Sequence, residues 1–490
     1  MVNNCPGCLD KQRRIDQLEE ENQRLRDQLR YRRRKEKEGF FGASTPSSQI
    51  PVKANGSEEN RSRKGGACPG HVGHGRRGHG EETADQVIPI DVGESCPACG
   101  GALRLKEVRP RAVIESAPPK PQKILYHLSH KQCSRCQRIF RAKAPGVLPK
   151  SLYGNQITTQ VAVMHYFHGI PMGRICEMTG IPLGSLVDLF HRLAGYFTPV
   201  MDLLKEQYRL SPVKHADETG WRNDGQSGYA WLFCTPDMSL FSFQNTRSAS
   251  VPRSIFADQK LPGVLVVDRY NGYNKAPVPI QYCYAHLLRD VEKLEKDFPE
   301  SVEIKAFVST LAPLFAQAMH LRTQPISHEQ YYRQAQAIRQ KILEVNQSPA
   351  QHLAIRGMQD LLQSNEHRLY HWVQDRRVPP DHNLAERDLR PTVIARKVSF
   401  GSSSDAGAKT RSTLMSVLHT LNKRRCDQSL ESIFKNLLDE IAKNPKIPIA
   451  SLFLQPKSDD LVKSGNSPPL VGGDNGEGGN ISDFLRDHQI

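Results

Sequence analysis

No apolar run in the 490-residue chain approaches the length needed to cross a bilayer, so no membrane-spanning helix and no membrane partner are expected. The start, Met1-Val2-Asn3-Asn4-Cys5, carries no apolar signal segment, and a cytoplasmic location follows as the expectation. In that compartment disulfides are not expected, and the eleven Cys, six of them in C-x-x-C pairs, read as metal ligands. Large apolar residues almost vanish between Gly42 and Asp85, where Gly, Ser, Pro, Lys and Arg dominate. Such a stretch buries too little surface to offset its ordering entropy and reads as a basic disordered linker. Beyond Leu454 the chain is again rich in Gly, Asp, Ser and Pro, which predicts a disordered tail. There is no acidic excess: Lys+Arg 67 against Asp+Glu 52 leaves a net charge of +15. That balance suits an anionic partner, but nucleic acid, a membrane surface and plain solubility all satisfy it.

What is present is organised around Gly263-Val264-Leu265-Val266-Val267-Asp268-Arg269-Tyr270-Asn271-Gly272-Tyr273. Four apolar residues running into a carboxylate and a Gly-containing turn describe a buried strand that delivers one acid to a sheet edge. A turn-capping Asp is the simpler reading of that residue taken alone. Upstream, Val213-Lys214-His215-Ala216-Asp217-Glu218-Thr219 offers a second acid, followed by the strand-like segments Tyr229–Phe233 and Ser239–Phe243. Downstream, Asn383-Leu384-Ala385-Glu386-Arg387-Asp388-Leu389-Arg390-Pro391 places a third acid on a short helix that Pro391 should end or kink. Neighbours on a strand face opposite ways, so only one of Asp217 and Glu218 can join a common site; Asp388 competes with Glu386 from a different face of its helix. Oxygen-only ligands suit hard cations such as Mg²⁺ or Mn²⁺.

The chain's 490 residues allow two to four domains. From Gln12 to Lys35, Ile15, Leu18, Asn22, Leu25 and Leu29 recur at three- and four-residue steps. This spacing fits a short parallel coiled coil or a solvated amphipathic helix. Cys96-Pro97-Ala98-Cys99 and Cys133-Ser134-Arg135-Cys136 stand about 34 residues apart, the spacing of a four-thiolate structural zinc ribbon. Val113-Ile114 and Lys123–Leu128 read as its strands. Cys5/Cys8 and the Cys68, His71, His74, His79 group are weaker metal candidates. Lys64, Arg76 and Arg77 in the linker, with Arg396 and Lys397 past the third acid, are candidate phosphate contacts. Gly173–Pro182 and Leu183–Leu193 have helix-turn-helix spacing, or that of an ordinary helical hairpin. Cys283 and His286 precede a charged helix containing Arg289. A lone C-x-x-H is a poor zinc site, and these residues read as a structural motif near the acids. The interval Glu300–Arg377 is patterned for helix throughout, and Ser412–Asn422 for a further amphipathic helix.

Four motifs in this order, H-A-D-E-T at Asp217, D-R-Y-N-G-Y at Asp268, C-Y-A-H at Cys283–His286 and N-L-A-E-R with L-R-P at Glu386, resemble the insertion-sequence-66 family of bacterial DDE transposases over roughly residues 40–450. The resemblance implies a multidomain α+β protein with a ribonuclease-H-like α/β core. In order the expected parts are a coiled-coil helix (1–40), linker (41–88), zinc-ribbon DNA-binding domain (89–148), helix-turn-helix-like domain (149–208), core (209–298), helical insertion (299–377), second core part (378–454) and tail (455–490). It implies two Mg²⁺ or Mn²⁺ ions, Asp268 bridging them with Asp217 and Glu386 serving one each, and a structural Zn²⁺. The expected reaction is hydrolysis at the element's terminal inverted repeats followed by strand transfer into target double-stranded DNA. His286 or Arg289 would sit near the scissile phosphate, with Arg387 and Arg390 close by. A homodimer or higher oligomer, aided by small accessory proteins of the same element, completes the expectation. Two other readings stay open: a zinc-ribbon regulator without catalysis, and a structure-specific nuclease on the same core.

Overall fold

The computed structural model describes residues 121–453 except 133, 135, 137 and 138, together with Ala102 and scattered positions between 11 and 29. Lys64, Arg76, Arg77, Cys96, Cys99 and Cys133, with the linker, most of the zinc segment and the tail, lie outside the described residues. Between 11 and 29 the described positions are helical, and Ile15, Leu18, Leu25 and Leu29 lie open to solvent.

A small antiparallel hairpin pairs β1 (His130–Gln132) with β2 (Ile139–Arg141), and Cys136 is exposed in the turn between them. The strand expected over Lys123–Leu128 is absent: ladder pairing begins at His130, and Ile124 and Leu125 are exposed. Apolar residues are not enough for a strand when no neighbouring strand among the described residues takes their backbone hydrogen bonds.

Helix α1 (Asn155–Ala162) runs into a π-helical turn, Val163–Phe167. Helix α2 (Met172–Thr179) ends at Gly180, whose φ of +71° lets its N–H reach the Cys176 carbonyl at 2.8 Å. Helix α3 (Leu183–Leu210) then extends for 28 residues through Pro199, well beyond the second helix of the expected pair. Its apolar stripe explains the length: Leu186, Phe190, Leu193, Phe197, Val200 and Leu204 keep helical spacing and are all buried. The Tyr208 hydroxyl donates to the His215 carbonyl at 3.1 Å, tying the end of α3 to the sheet. As a result, residues from Leu148 to Phe453 share one continuous hydrophobic core.

The sheet has five strands: β3 (Val213–Asn223), β4 (Gln226–Thr235), β5 (Met238–Gln244), β6 (Val264–Val267) and β7 (Ile280–Tyr282). Their spatial order is β5-β4-β3-β6-β7. The first three form an antiparallel meander, while β6 lies parallel to β3 and β7 parallel to β6. Short helix α4 (Ser250–Phe256) makes the crossover from β5 to β6. Gly263 makes the entry into β6 possible: its φ is +79°, and a Cβ there would stand 2.2 Å from the Pro212 carbonyl oxygen.

Helix α5 (Tyr284–Asp297) follows β7, and α6 (Val302–Leu321), α7 (His328–Gln347), α8 (Leu353–Ser364) and α9 (His371–Gln374) fill the interval before the third acid with helix. Helix α10 (Asn383–Ser399) carries Glu386 and does not stop at Pro391. Proline removes only its own N–H bond, to the carbonyl of exposed Arg387, which water can satisfy. Helices α11 (Asp405–Arg424) and α12 (Leu430–Lys443) complete the order. Along edge strand β5 the N–H groups of Ser239, Phe241 and Phe243 donate to hydroxyls of Thr420, Ser416 and Ser412 at 3.1, 2.8 and 3.2 Å. Hydroxyls four residues apart on one helix face thus match alternate residues of a strand.

Candidate active site

Strand register brings two of the three acids together. The parallel pairing of β3 and β6 sets His215 opposite Val266. Asp217 and Asp268 each lie two residues further along, so they occupy adjacent positions on the same side of the sheet. Both are buried, at 8% and 7% exposure. The Asp217 Oδ1 accepts the Glu218 N–H at 2.9 Å, and the Asp268 Oδ1 accepts the Tyr270 N–H at 2.9 Å, fixing the turn after β6.

The third acid arrives on α10. Its approach is held by β7 and α5, since the Cys283 N–H donates to the Val267 carbonyl at 3.0 Å and the Tyr284 N–H to the Pro380 carbonyl at 2.8 Å. His286 and Arg289, three residues apart on α5, flank Glu386, with His286 Nδ1 at 4.0 Å and Arg289 Nη2 at 3.6 Å from its Oε1. Burial and the nearby Arg289 hold His286 neutral, well below its ordinary range. Cys283 is the residue preceding α5; burial, then Glu386 and Asp381, push its thiol up.

Concentrated negative charge shows in the titration of the acids. Burial, then Glu218, Asp268 and Glu386, hold Asp217 well above the usual carboxylate range. Burial, then Glu218, raises Asp268 to about 7. Burial raises Glu386 as well, against the opposing pull of Arg289. Such displacement is what a cation between carboxylates would relieve. The Glu386 Oε1 is buried without a hydrogen bond, an orphaned acceptor of the kind a bound cation satisfies. The donor set therefore fits a hard divalent ion, although among the described residues no three His, Cys, Asp or Glu are yet gathered closely enough to hold one.

The competing acids are engaged elsewhere. Glu218 Oε1 accepts Arg247 Nε and Nη2 at 2.9 and 2.7 Å, and its Oε2 accepts the Tyr273 hydroxyl at 2.6 Å. The Arg247 guanidinium lies 4.0 Å over the Tyr270 ring, so this network braces the turn that follows Asp268. Asp388 pairs with Lys423 at 2.5 Å and accepts the Ser239 hydroxyl at 2.9 Å. Of the basic residues singled out, Arg387, Arg390 and Lys397 are exposed on α10. Arg396 turns inward instead, its Nη1 donating to the Gly220 carbonyl at 2.6 Å and to Thr219 Oγ1 at 3.1 Å.

Sequence reasoning missed two buried histidines and Arg247. His382 Nε2 is 3.9 Å from Asp217 Oδ2, and its ring stacks on His215 at 5.7 Å. Burial lowers His382 to about 4 and holds His215 well below its ordinary range, so both rings are neutral. The available signals were H-x-D at 215–217 and H-x-x-x-E at 382–386, which place each His on the same side of its element as an acid.

The chain is similar to three proteins of Sinorhizobium fredii (strain NBRC 101917 / NGR234). It is 24% identical to "Uncharacterized protein y4jD" over 76% of this chain and 80% of that one, and 19% identical to y4hP over 74% of each. With y4qI it is 23% identical over 71% of this chain and 70% of that protein. A family described as "Transposase IS66 family" matches residues 150–410, more than half the length and a span that holds Asp217, Asp268 and Glu386 together. On that match the chain belongs to the IS66 family of transposases.

Proposed function

We propose that the protein is a DNA transposase with a DDE site of Asp217, Asp268 and Glu386 on a ribonuclease-H-like core. The observation that carries this reading is the placement of Asp217 and Asp268 on adjacent parallel strands, with Glu386 brought toward them by α10. A β5-β4-β3-β6-β7 order, with acids on its first strand and after its fourth, supports the core assignment. Two Mg²⁺ or Mn²⁺ ions, when bound by these carboxylates, supply an activated nucleophile and charge stabilisation for in-line displacement at phosphorus. The chain's own residues do the rest. The sheet holds Asp217 and Asp268 rigidly, the Glu218–Arg247–Tyr273 network fixes the turn beyond Asp268, and the neutral rings of His382 and His286 pack beside two of the acids without adding charge. Arg289 beside Glu386 faces the phosphate, and Arg387, Arg390 and Lys397 hold the DNA backbone.

The substrate is the element's terminal inverted repeats and then target DNA, cut and joined by the freed 3′-hydroxyl. Upstream, a zinc ribbon of Cys96, Cys99, Cys133 and Cys136 and the basic linker with Lys64, Arg76 and Arg77 add DNA affinity. A coiled coil through the open Ile15, Leu18, Leu25 and Leu29 seam pairs two copies so that both ends are held. Accessory proteins of the same element assist in the bacterial cytoplasm.

The test is cleavage and joining of a labelled duplex carrying the element end, in Mg²⁺, by wild type, Asp268→Asn and Glu386→Gln. Wild type is expected to nick at the end while both variants bind without cutting. If all three bind and none cuts, the accessory proteins are added. Equal cutting by wild type and Asp268→Asn removes Asp268 from the site and the reading with it.

A further inference from the structure

On α10 the residues at 383, 387, 390, 394, 397 and 398 form one exposed stripe leading away from Glu386. Its charged members, Arg387, Arg390 and Lys397, are all basic, and Ile394 and Val398 are 57% and 47% exposed between them. The stripe ends at Phe400, the residue capping the helix, which is 76% exposed and has φ of +61°. That backbone region is strained for a bulky side chain, and a large apolar ring in water gains nothing from packing. The chain nonetheless locks it there. The Phe400 N–H donates to the Arg396 carbonyl at 3.0 Å, and the Ser402 N–H to the Arg222 carbonyl at 2.9 Å. Ser402 Oγ accepts Trp221 Nε1 at 3.1 Å, and Gly401 fits so closely that a Cβ would stand 2.2 Å from the Arg222 oxygen.

We infer that Phe400 is a wedge that inserts between base steps of the bound duplex, while the basic stripe of α10 tracks the phosphates leading to it. This rests on the proposed transposase reading. Charge selects DNA as the occupant, and continuity with Glu386 sets the direction of the duplex. The fourteen positions from Glu386 to Phe400 span roughly 20 Å of helix. At about 3.4 Å per base pair, the wedge meets the duplex about six base pairs from the scissile phosphate. Apolar wedges of this kind unstack one step and bend the DNA, which widens the surface the protein contacts.

The test places 2-aminopurine singly at each position from the third to the ninth base pair of a duplex carrying the element end, with full-length protein and no added Mg²⁺ or Mn²⁺. Wild type should raise fluorescence severalfold with a maximum near the sixth pair. Phe400→Gly should bind the duplex yet lose that maximum, and Phe400→Trp should restore the local unstacking. Misfolding does not confound the result, because glycine accepts φ of +61° without strain and the variant should be at least as stable as wild type. Cleavage of the same duplex by wild type in Mg²⁺ reports separately on the transposase reading. If wild type cuts but shows no local maximum, or Phe400→Gly keeps it, the wedge is overturned alone. If wild type neither binds nor cuts, both proposals fall.

Discussion

Asp268→Asn should stabilise the metal-free protein while abolishing its chemistry. The wild-type carboxyl, buried beside other acids, is held at about 7, against an ordinary value of 3.8. A raised carboxylate stabilises the fold only while protonated. Its contribution is fully present below the unfolded value near 4 and is lost as pH rises through about 7. The ionised folded state at pH 8 is therefore penalised by up to about 4 kcal/mol. Asparagine keeps the Oδ1 that accepts the Tyr270 N–H and removes the charge. Thermal unfolding in EDTA at pH 8 should show Asp268→Asn melting higher by on the order of 5 °C, with the gap closing near pH 4. Mg²⁺ should narrow the gap, because an ion at 100 times its Kd stabilises wild type by about 2.7 kcal/mol and finds no complete site in the variant. Should the variant melt at or below wild type at pH 8, or the gap not change with pH, the crowded-carboxylate account is refuted.

Glu386→Gln should lower end cleavage by about 10³-fold or more with little change in melting temperature, measured in single-turnover gels. Arg247→Met leaves Glu218 buried without its cation and should destabilise by about 3–5 kcal/mol at neutral pH, whereas Glu218→Gln should cost less; urea unfolding of the two tests the network. Gly263→Ala forces a Cβ onto the Pro212 carbonyl at positive φ, and soluble yield with circular dichroism should show the fold lost or weakened by more than about 2 kcal/mol. Lys397→Ala should reduce the slope of log K against log salt by about one, and Arg396→Met should leave it unchanged while lowering stability, since only Lys397 faces outward.

The elements that carry the candidate acids were legible because each belongs to a local pattern: a four-residue apolar strand before Asp268, strand-like segments following Asp217, a helical run around Glu386. Local patterning also marked the interval before Glu386 as helix. Contacts that join distant residues were not legible. Glu218 looked like a rival for the site until Arg247, 29 residues on, claimed it. The reach of α3 was underestimated because its apolar stripe continues past Pro199, and strand Lys123–Leu128 was expected from composition but finds no partner strand among the described residues. The exposure of Phe400 goes with a backbone conformation, φ of +61°, that no spacing rule announces.

The hydroxyls of Ser412, Ser416 and Thr420 along β5 bear on how copies of this protein can meet. A free sheet edge invites a second chain to add a strand, which is one route to dimers and to aggregates. Here that row of donors is already spoken for by a helix of the same chain, which an incoming strand would first have to displace. Assembly across β5 is closed. Any pairing of two copies must then use a surface other than this edge.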